Sequence, residues 1–443
     1  MTRRYPAYRD SGVEWLGEVP EGWVVSKLSR AIDPRRQITY GIVQAGPHCE
    51  GGIPYIRPTD MTDESGVLDE STLMLTSPEI VAAYSRSEVR AGDLVCSIGP
   101  SFGKVMVVPE SLSGANLTQG TARLAVTLAN NHPRFVFWFL RSAIAVNQWE
   151  SSIGGATFRS LNLEPLAATR LAIPPLPEQT AIAAFLDQET AKIDALVAEQ
   201  RRLIDLLREK RQAVISHAVT KGLNPNTTLK PSGVEWLGDV PEGWGFKRLS
   251  LVCSFEQGKA HEPYFDEDGD FICVTARFVS TSGEKFKRCS ANLTPAAVGD
   301  ILMVMSDLPN GRALARAFLV DRPNVYAVNQ RVCRITTSRD GDARYFAYQL
   351  NRHTSLLSED DGFNQTHLSN ASFTKLMLVV PPADEQKRIA DYLDAKTSSF
   401  DTLTATAESA IALLQERRAA LISAAVTGKI DVRDLATNHT EAA

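Results

Sequence analysis

The stretch GPSFGKV (99–105) is the nearest this chain comes to a phosphate-binding loop. It is one residue short of GxxxxGK, and Val105 stands where Ser or Thr would hold magnesium. A β-turn between two strands is the better reading. The histidines, His48, His132, His217, His261, His353, His367 and His439, form no HxxxH or HxH pair, so no zinc site is expected. The run FDEDGD (265–270) faintly resembles a calcium loop but lacks the terminal bidentate Glu. Like EDDG (359–362), it reads as a solvated loop. The six cysteines never fall as CxxC, and only Cys49 beside His48 suggests a ligand pair. Reduced structural thiols in a cytoplasmic protein are expected. There is no GxGxxG and no nucleophile elbow. These residues point to binding and organisation, with no catalytic or metal site.

Two similar halves must position whatever binds. SGVEWLGEVPEGW (11–23) returns as SGVEWLGDVPEGW (232–244), with one substitution, Glu18 to Asp239. PPLPEQTAIAAFLD (174–187) returns as PPADEQKRIADYLD (381–394), and HAVTKG (217–222) as AAVTGK (424–429). A period above 200 residues is far too long for a solenoid and fits a duplicated domain.

At 443 residues and 44% hydrophobic content the chain has room for two or three globular domains. No apolar run approaches eighteen residues, and the MTRRYPAYRDSG start lacks the apolar core of a signal peptide. No membrane association is expected. The net charge of −5 argues against an obvious nucleic-acid binder, which would ordinarily carry a basic domain.

Each half opens on its Gly- and Pro-punctuated motif and continues into short β-like runs. Examples are GDLVCSIG (92–99), KVMVVP (104–109) and TARLAVTL (121–128), echoed by GDILMVMS (299–306), RAFLVD (316–321) and RVCRITT (331–337). One amphipathic segment lies in each, RFVFWFLRS (134–142) and RYFAYQLNR (344–352). The pattern predicts an α+β fold with a mostly antiparallel sheet. The loops between these runs diverge between the halves.

A long helix then closes each half, because residues 178–220 contain neither Pro nor Gly. Apolar residues recur at Ile182, Leu186, Ile193, Leu196, Leu203, Leu207 and Val214. Positions 207 later hold Ile389, Leu393, Phe400, Leu403, Ala410, Leu414 and Leu421, with no insertion or deletion between. Such spacing predicts a coiled coil. Because the chain leaves along one helix and returns along the other, an antiparallel pair is expected, with each helix packing on its own domain as the alternative.

The openers, the helix starts and the helix ends LLREKRQAVISHAVT (206–220) and LLQERRAALISAAVT (413–427) resemble the specificity subunit of type I restriction-modification systems. The resemblance covers nearly the whole chain. It implies two pseudo-symmetric target-recognition domains separated by a long antiparallel two-helix coiled coil. On this reading residues 1–175 form the first recognition domain, 176–221 the first spacer helix and 222–230 a linker. Residues 231–382 form the second domain, 383–430 the second spacer helix and 431–443 a flexible tail.

The resemblance further implies that each domain recognises one half of a split, asymmetric sequence in double-stranded DNA. The helices would fix the gap, as half-site spacing is fixed in dimeric DNA readers. Two methyltransferase (modification) subunits would dock on the repeated regions, and restriction/translocase subunits would complete a host-defence complex. S-adenosylmethionine, ATP and magnesium would belong to those partners, with no cofactor in this chain.

Within that frame the divergent loops hold the candidate DNA-binding residues. The loop after the GD(L/I) strand offers Ser101 and Lys104, with Asn310 and Arg312 in the second half. The segment before the last strand offers Thr157 and Arg159, with Asn364, Gln365 and His367. A strand end offers Arg57 and Thr59, with Thr275 and Arg277. Arg suits guanine edges and Asn or Gln suits adenine edges in the major groove. Gln119 and Gln330, in matching places, suit shared scaffold or backbone contacts. The competing functions are a stand-alone DNA methyltransferase or nuclease, which needs motifs this chain lacks, and a coiled-coil scaffold with no DNA role.

Overall fold

The computed structural model describes residues 4–62, 69–153, 159–234, 237–308 and 311–433. The chain separates into two compact units. The first comprises Met1–Arg201 and Glu408–Ala443, and the second Arg202–Ala407. The division cuts through both long helices, so each unit holds the start of one and the end of the other.

In the first unit, strands Tyr8–Asp10 and Glu18–Pro20 of the opener pair antiparallel. A four-stranded antiparallel sheet runs Thr39–Tyr40, Thr121–Leu124, Leu94–Ser97, Val105–Val107. Beside it lies a three-stranded sheet of Met74–Thr76, Ile53–Ile56 and Asn116–Leu117, whose last pair is parallel. Strand Val24–Lys27 pairs with Arg170–Ile173 and closes the domain into a stem. The second unit repeats the plan. Cys253–Gln257, Val332–Thr337, Ile301–Val304 and Ala317–Leu319 form its four-stranded sheet, and Gly245–Arg248 with Met377–Val380 forms its stem.

The central strands are buried on both faces. Successive side chains of a strand point to opposite faces, so Leu94 and Cys96 enter the main core while Val95 enters a smaller one with Ile56, Met106 and Leu117. Ile301 and Met303 likewise part company with Leu302 and Val304. Helix Pro133–Leu140 is amphipathic, as the pattern at 134–142 predicts, but it is buried on more than its apolar face. Phe135 to Leu140 are all buried, because the helix lies between sheet residues such as Leu94 and helix residues Ile182 and Leu186. Each such apolar side chain stabilises the fold by about 1.5–3 kcal/mol. Its counterpart Ala343–Leu350 does keep a polar face.

The long helices run Leu176–Lys221 and Ala383–Val426. Both end at a left-handed glycine, Gly222 (φ +77°) and Gly428 (φ +72°), where the chain turns away. In the first unit Ile182 and Leu186 share a core with Ile422, Ala425 and Val426, and Arg418 pairs with Asp194 at 2.8 Å. In the second unit Ile389 and Leu393 share a core with Ile215, Ala218 and Val219, and Arg211 pairs with Asp401 at 2.5 Å. Start meets end in both units, so the helix halves in each are antiparallel. The fold is α+β, with two similar domains and a two-helix coiled coil.

The seam differs in part from the one the apolar spacing gives. Ile182, Leu186, Ile193, Leu207, Ile389 and Leu393 are buried, and Val214, Phe400, Leu414 and Leu421 are half-buried. Leu196, Leu203 and Leu403 are not in it, being 51%, 42% and 49% exposed. Val197, Ile204 and Ala407 are buried instead. The cause is Thr190, a seam residue passed over because it is polar. Its hydroxyl donates to the Leu186 carbonyl at 2.6 Å, which satisfies it inside the seam. From Thr190 the three- and four-residue steps lead to Ile193, Val197 and Ile204. Of the expected tail, residues 431–433 are packed, and residues 434–443 lie outside the described residues. Val432 is buried, Asp431 holds Arg433 at 2.6 Å, and the Arg433 guanidinium lies 4.9 Å from the Tyr5 ring centre.

Candidate nucleic-acid interface

The doubled motifs build a frame. In the first unit Trp23 of the opener donates to Glu178, and Gln179 accepts from the His132 amide at 2.8 Å while donating to the Pro174 carbonyl at 2.8 Å. In the second, Trp244 donates to Glu385, and Gln386 accepts from the Asp342 amide at 3.0 Å and donates to the Pro381 carbonyl at 2.8 Å. Arg134 and Arg344 bind Asp187 and Asp394, which occupy matching helix positions. The repeated residues therefore lock sheet, opener and helix start together.

On this frame the three candidate segments of each domain converge. In the first, the Thr118 amide donates to the Ile56 carbonyl at 3.3 Å and the Ile98 amide to Gly120 at 2.8 Å. The Leu161 amide then donates to Ile98 at 2.9 Å. In the second, Asn329 donates to Val274 at 3.2 Å, Met305 to Arg331 at 2.9 Å and Leu368 to Met305 at 2.8 Å. The same three bonds tie the strand end, the first loop and the last segment into one patch. They use backbone atoms only, so the side chains there are free to differ.

Those side chains are engaged unequally. Thr59 and Ser101 are exposed. Arg57 gives Nε and Nη2 to Asp60, the latter at 2.6 Å, and this bonding raises its pKa. The Lys104 ammonium donates to the carbonyls of Met61 at 2.9 Å and Pro58 at 3.4 Å, which makes it a brace between two of the segments. GPSFGKV is a turn between strands Leu94–Ser97 and Val105–Val107, with Gly103 at φ +97°. Arg159 pairs with Glu150, and its guanidinium lies 5.8 Å from the Phe102 ring centre. Thr157 lies outside the described residues.

In the second domain the Thr275 hydroxyl caps the short helix Ala276–Ser280 by accepting from the Phe278 amide at 3.3 Å. Arg277 and Arg312 are exposed, and their guanidinium groups have no partner among the described residues. Asn364 donates to Asp361 from its amide and its side chain, which holds that carboxyl down to about 2. Gln365 donates to the Ser306 hydroxyl at 2.9 Å, and His367 is exposed on the strand paired with Ser306–Asp307. Asn310 lies outside the described residues. Gln119 and Gln330 are exposed in the middle of their patches.

Sequence spacing missed several residues of this face. Arg316 and Arg352 both donate to the Arg312 carbonyl, at 2.6 and 3.4 Å, which gathers three arginines beside the second domain's first loop. Burial, then the Arg352 and Arg312 charges, lowers the Arg316 pKa. A concavity of about 730 Å³ beside Thr275 and Arg277 is walled by Lys285, Phe286, Lys287 and Arg331. No local motif marks Arg352, which lies forty residues from Arg312 along the chain.

Among the described residues no group of His, Cys, Asp and Glu is placed to hold a metal ion. Burial pushes the Cys96, Cys253 and Cys273 thiols up to about 12, so they stay protonated. His261 is a satisfied structural histidine, bonded to the Lys259 carbonyl at 2.7 Å and accepting from the Leu293 amide at 3.0 Å. No helix among the described residues is long and apolar enough to cross a membrane.

Comparison with known proteins agrees with this architecture. The type I restriction modification DNA specificity domain matches residues 45–204 and again 241–412, and the chain belongs to that family. The specificity subunit of the EcoKI type I restriction enzyme of Escherichia coli K12 is 23% identical over 446 residues, covering 95% of this chain and 92% of that protein. The EcoBI specificity subunit of E. coli is 27% identical over 200 residues, 45% of this chain and 42% of that protein. One solved chain, from a study of complex assembly and conformational transition of the type I R-M system, has a TM-score of 0.70 at 17% identity. It aligns over 92% of this chain and 98% of its own. The HsdS subunit from Thermoanaerobacter tengcongensis has a TM-score of 0.52 at 18% identity, over 93% of this chain and 98% of its own. The chain is thus a type I specificity subunit with two target-recognition domains, a non-catalytic component.

Proposed function

We propose that each recognition domain reads one half of a split, asymmetric site in double-stranded DNA through the patch where its three loops meet. The observation that carries this is the matched set of backbone bonds beneath unmatched side chains. A constant frame with Arg57, Ser101 and Arg159 in one domain and Arg277, Arg312 and Asn364 in the other suits two readers of different sequence. The antiparallel helices then act as the spacer. The repeated openers and helix ends dock two modification subunits, and restriction/translocase subunits join them. S-adenosylmethionine, ATP and magnesium serve those partners.

The test is selection of bound DNA from a random library by the chain assembled with its modification subunits. The expected result is two specified blocks separated by an unspecified gap of fixed length. A single contiguous block, or no enrichment, would sink the proposal.

A further inference from the structure

The first domain holds a basic concavity of about 780 Å³ beside its reading patch. Arg35, Arg36, Arg86, Arg90 and Arg123 line it, with Glu88 as the one carboxylate. Arg36 is neutralised by Asp93 at 2.6 Å. Arg35, Arg86 and Arg90 are exposed, and their guanidinium groups have no partner among the described residues. Arg123 is buried on strand Thr121–Leu124. It donates to the carbonyls of Arg86, Glu88 and Gln37, and its Nε has no hydrogen-bond partner. Burial, and then the Arg36 charge, lowers the Arg123 pKa. Cations gathered on a wall where a buried donor goes unmet leave room for an anion.

The second domain serves as an internal control. Its equivalent arginine, the half-buried Arg334, stands opposite Glu256 on the paired strand and forms an ion pair with it, with Asp300 at 3.9 Å. Thr39 occupies the Glu256 position in the first domain, opposite Arg123. Leu293 and Ala297 stand, 207 residues on, where the first domain has Arg86 and Arg90. The fold can therefore balance this arginine internally, and in the first domain it does not.

The concavity also adjoins the reading patch. Tyr40 lines it, and the next two residues are stitched to the patch, Gly41 donating to Thr118 at 3.0 Å and Ile42 to Leu117 at 2.7 Å. Leu163, two residues after Leu161, lines it as well.

We propose that this concavity binds the phosphate backbone of the DNA beside the half-site read by the first domain, through Arg35, Arg86 and Arg90. The contact belongs to the first domain alone, so the two domains grip the duplex unequally. The inference rests on the DNA-reading function proposed above.

The test is the salt dependence of binding by the complex of the full chain with its modification subunits. Wild type is compared with the triple variant Arg35→Ala, Arg86→Ala, Arg90→Ala on the selected site and on single-base variants of it. All three residues are exposed, so the fold should survive, and a circular dichroism melt checks this. The expected result is weaker binding by the same factor on every sequence. The slope of log K against log salt should become shallower by about 0.9 per lost contact, between about 1 and 3 in all. An unchanged slope overturns the inference while leaving the reading function intact. So does loss of assembly with the modification subunits at an unchanged slope, which would place the anion on a protein partner. A wild-type complex with no sequence preference overturns both proposals.

Discussion

Trp244 Nε1 donates a hydrogen bond to Glu385 Oε2 at 3.0 Å, and Trp23 makes the same bond to Glu178 at 3.3 Å. The tryptophan ends each opener and the glutamate lies in the first turn of each long helix. Two separately repeated motifs are thus repeated because they touch. The carboxylate also sits where the helix dipole favours negative charge. A hydrogen bond to a charged group is worth about 1.5–3 kcal/mol. Trp244→Phe should lower the unfolding free energy by that amount, whereas Trp15→Phe, at a 38% exposed opener position, should change it by less than about 0.5 kcal/mol. Denaturant titration of the two variants measures the contrast.

The engagement of the loop residues separates the proposed readers from braces. Among the described residues the Arg277 and Arg312 guanidinium groups have no partner, so each Ala variant should lose about 1–3 kcal/mol of discrimination at one base position. Lys104 is held by the Pro58 and Met61 carbonyls. Lys104→Ala should therefore reduce the stability of the first unit and leave the base preference at each position unchanged. Affinities against a panel of single-base variants, with melting curves, distinguish the two classes.

His353 gives the second domain an acid-sensitive point. It caps the short helix Thr354–Leu357, accepting from the Ser355 amide at 3.2 Å through Nδ1, and burial pushes its pKa down to about 4 from 6.5. Between those values the unfolded chain holds a proton that the folded chain does not. Stability is therefore full above pH 6.5 and falls as the pH drops toward 4, by about 3 kcal/mol in total. His353→Asn keeps a capping acceptor but cannot titrate. The stability gap between wild type and variant should change between pH 7 and pH 5, as followed by urea unfolding.

The spacer proposal turns on the helix register. Asp194 with Arg418 and Asp401 with Arg211 are the same pair 207 residues apart, and in each pair the two numbers add to the same total. Inserting seven residues between 201 and 204, and seven between 408 and 411, keeps a seam of three- and four-residue steps. It adds about 10 Å of helix. The unspecified gap in the bound DNA should lengthen by about three base pairs. A gap of unchanged length, from sequencing of selected DNA, would refute the ruler.

Much of this was legible in the sequence, for identifiable reasons. The long helices were clear because a run without Pro or Gly, with apolar residues at helical steps, has few other folds open to it. The loops proposed to read DNA stand out as the places where repeated neighbours flank unrepeated residues. The true seam was hidden because Thr190 satisfies its hydroxyl within its own helix, so a polar letter stands at a buried position. The amphipathic pattern at 134–142 does not reveal that Phe135 to Leu140 are all buried, since one helix alone does not show what packs on its second side. Arg134 and Arg141 lie 4.3 and 5.3 Å from the ring centre of Phe137. The basic concavity had no local signal, since Arg35, Arg90 and Arg123 meet only once the sheets form.

The most direct test of the account is to graft one reader onto the other's stem. Strands Val24–Lys27 with Arg170–Ile173, and Gly245–Arg248 with Met377–Val380, close the two domains in the same way. Replacing residues 28–169 with 249–376 should keep both stems and the helix frame. Selection of DNA by the assembled chimera is then expected to return two copies of the second domain's half-site, separated by the original gap. Recovery of the original asymmetric sequence by a folded, assembled chimera would contradict the claim that the divergent loops carry the specificity.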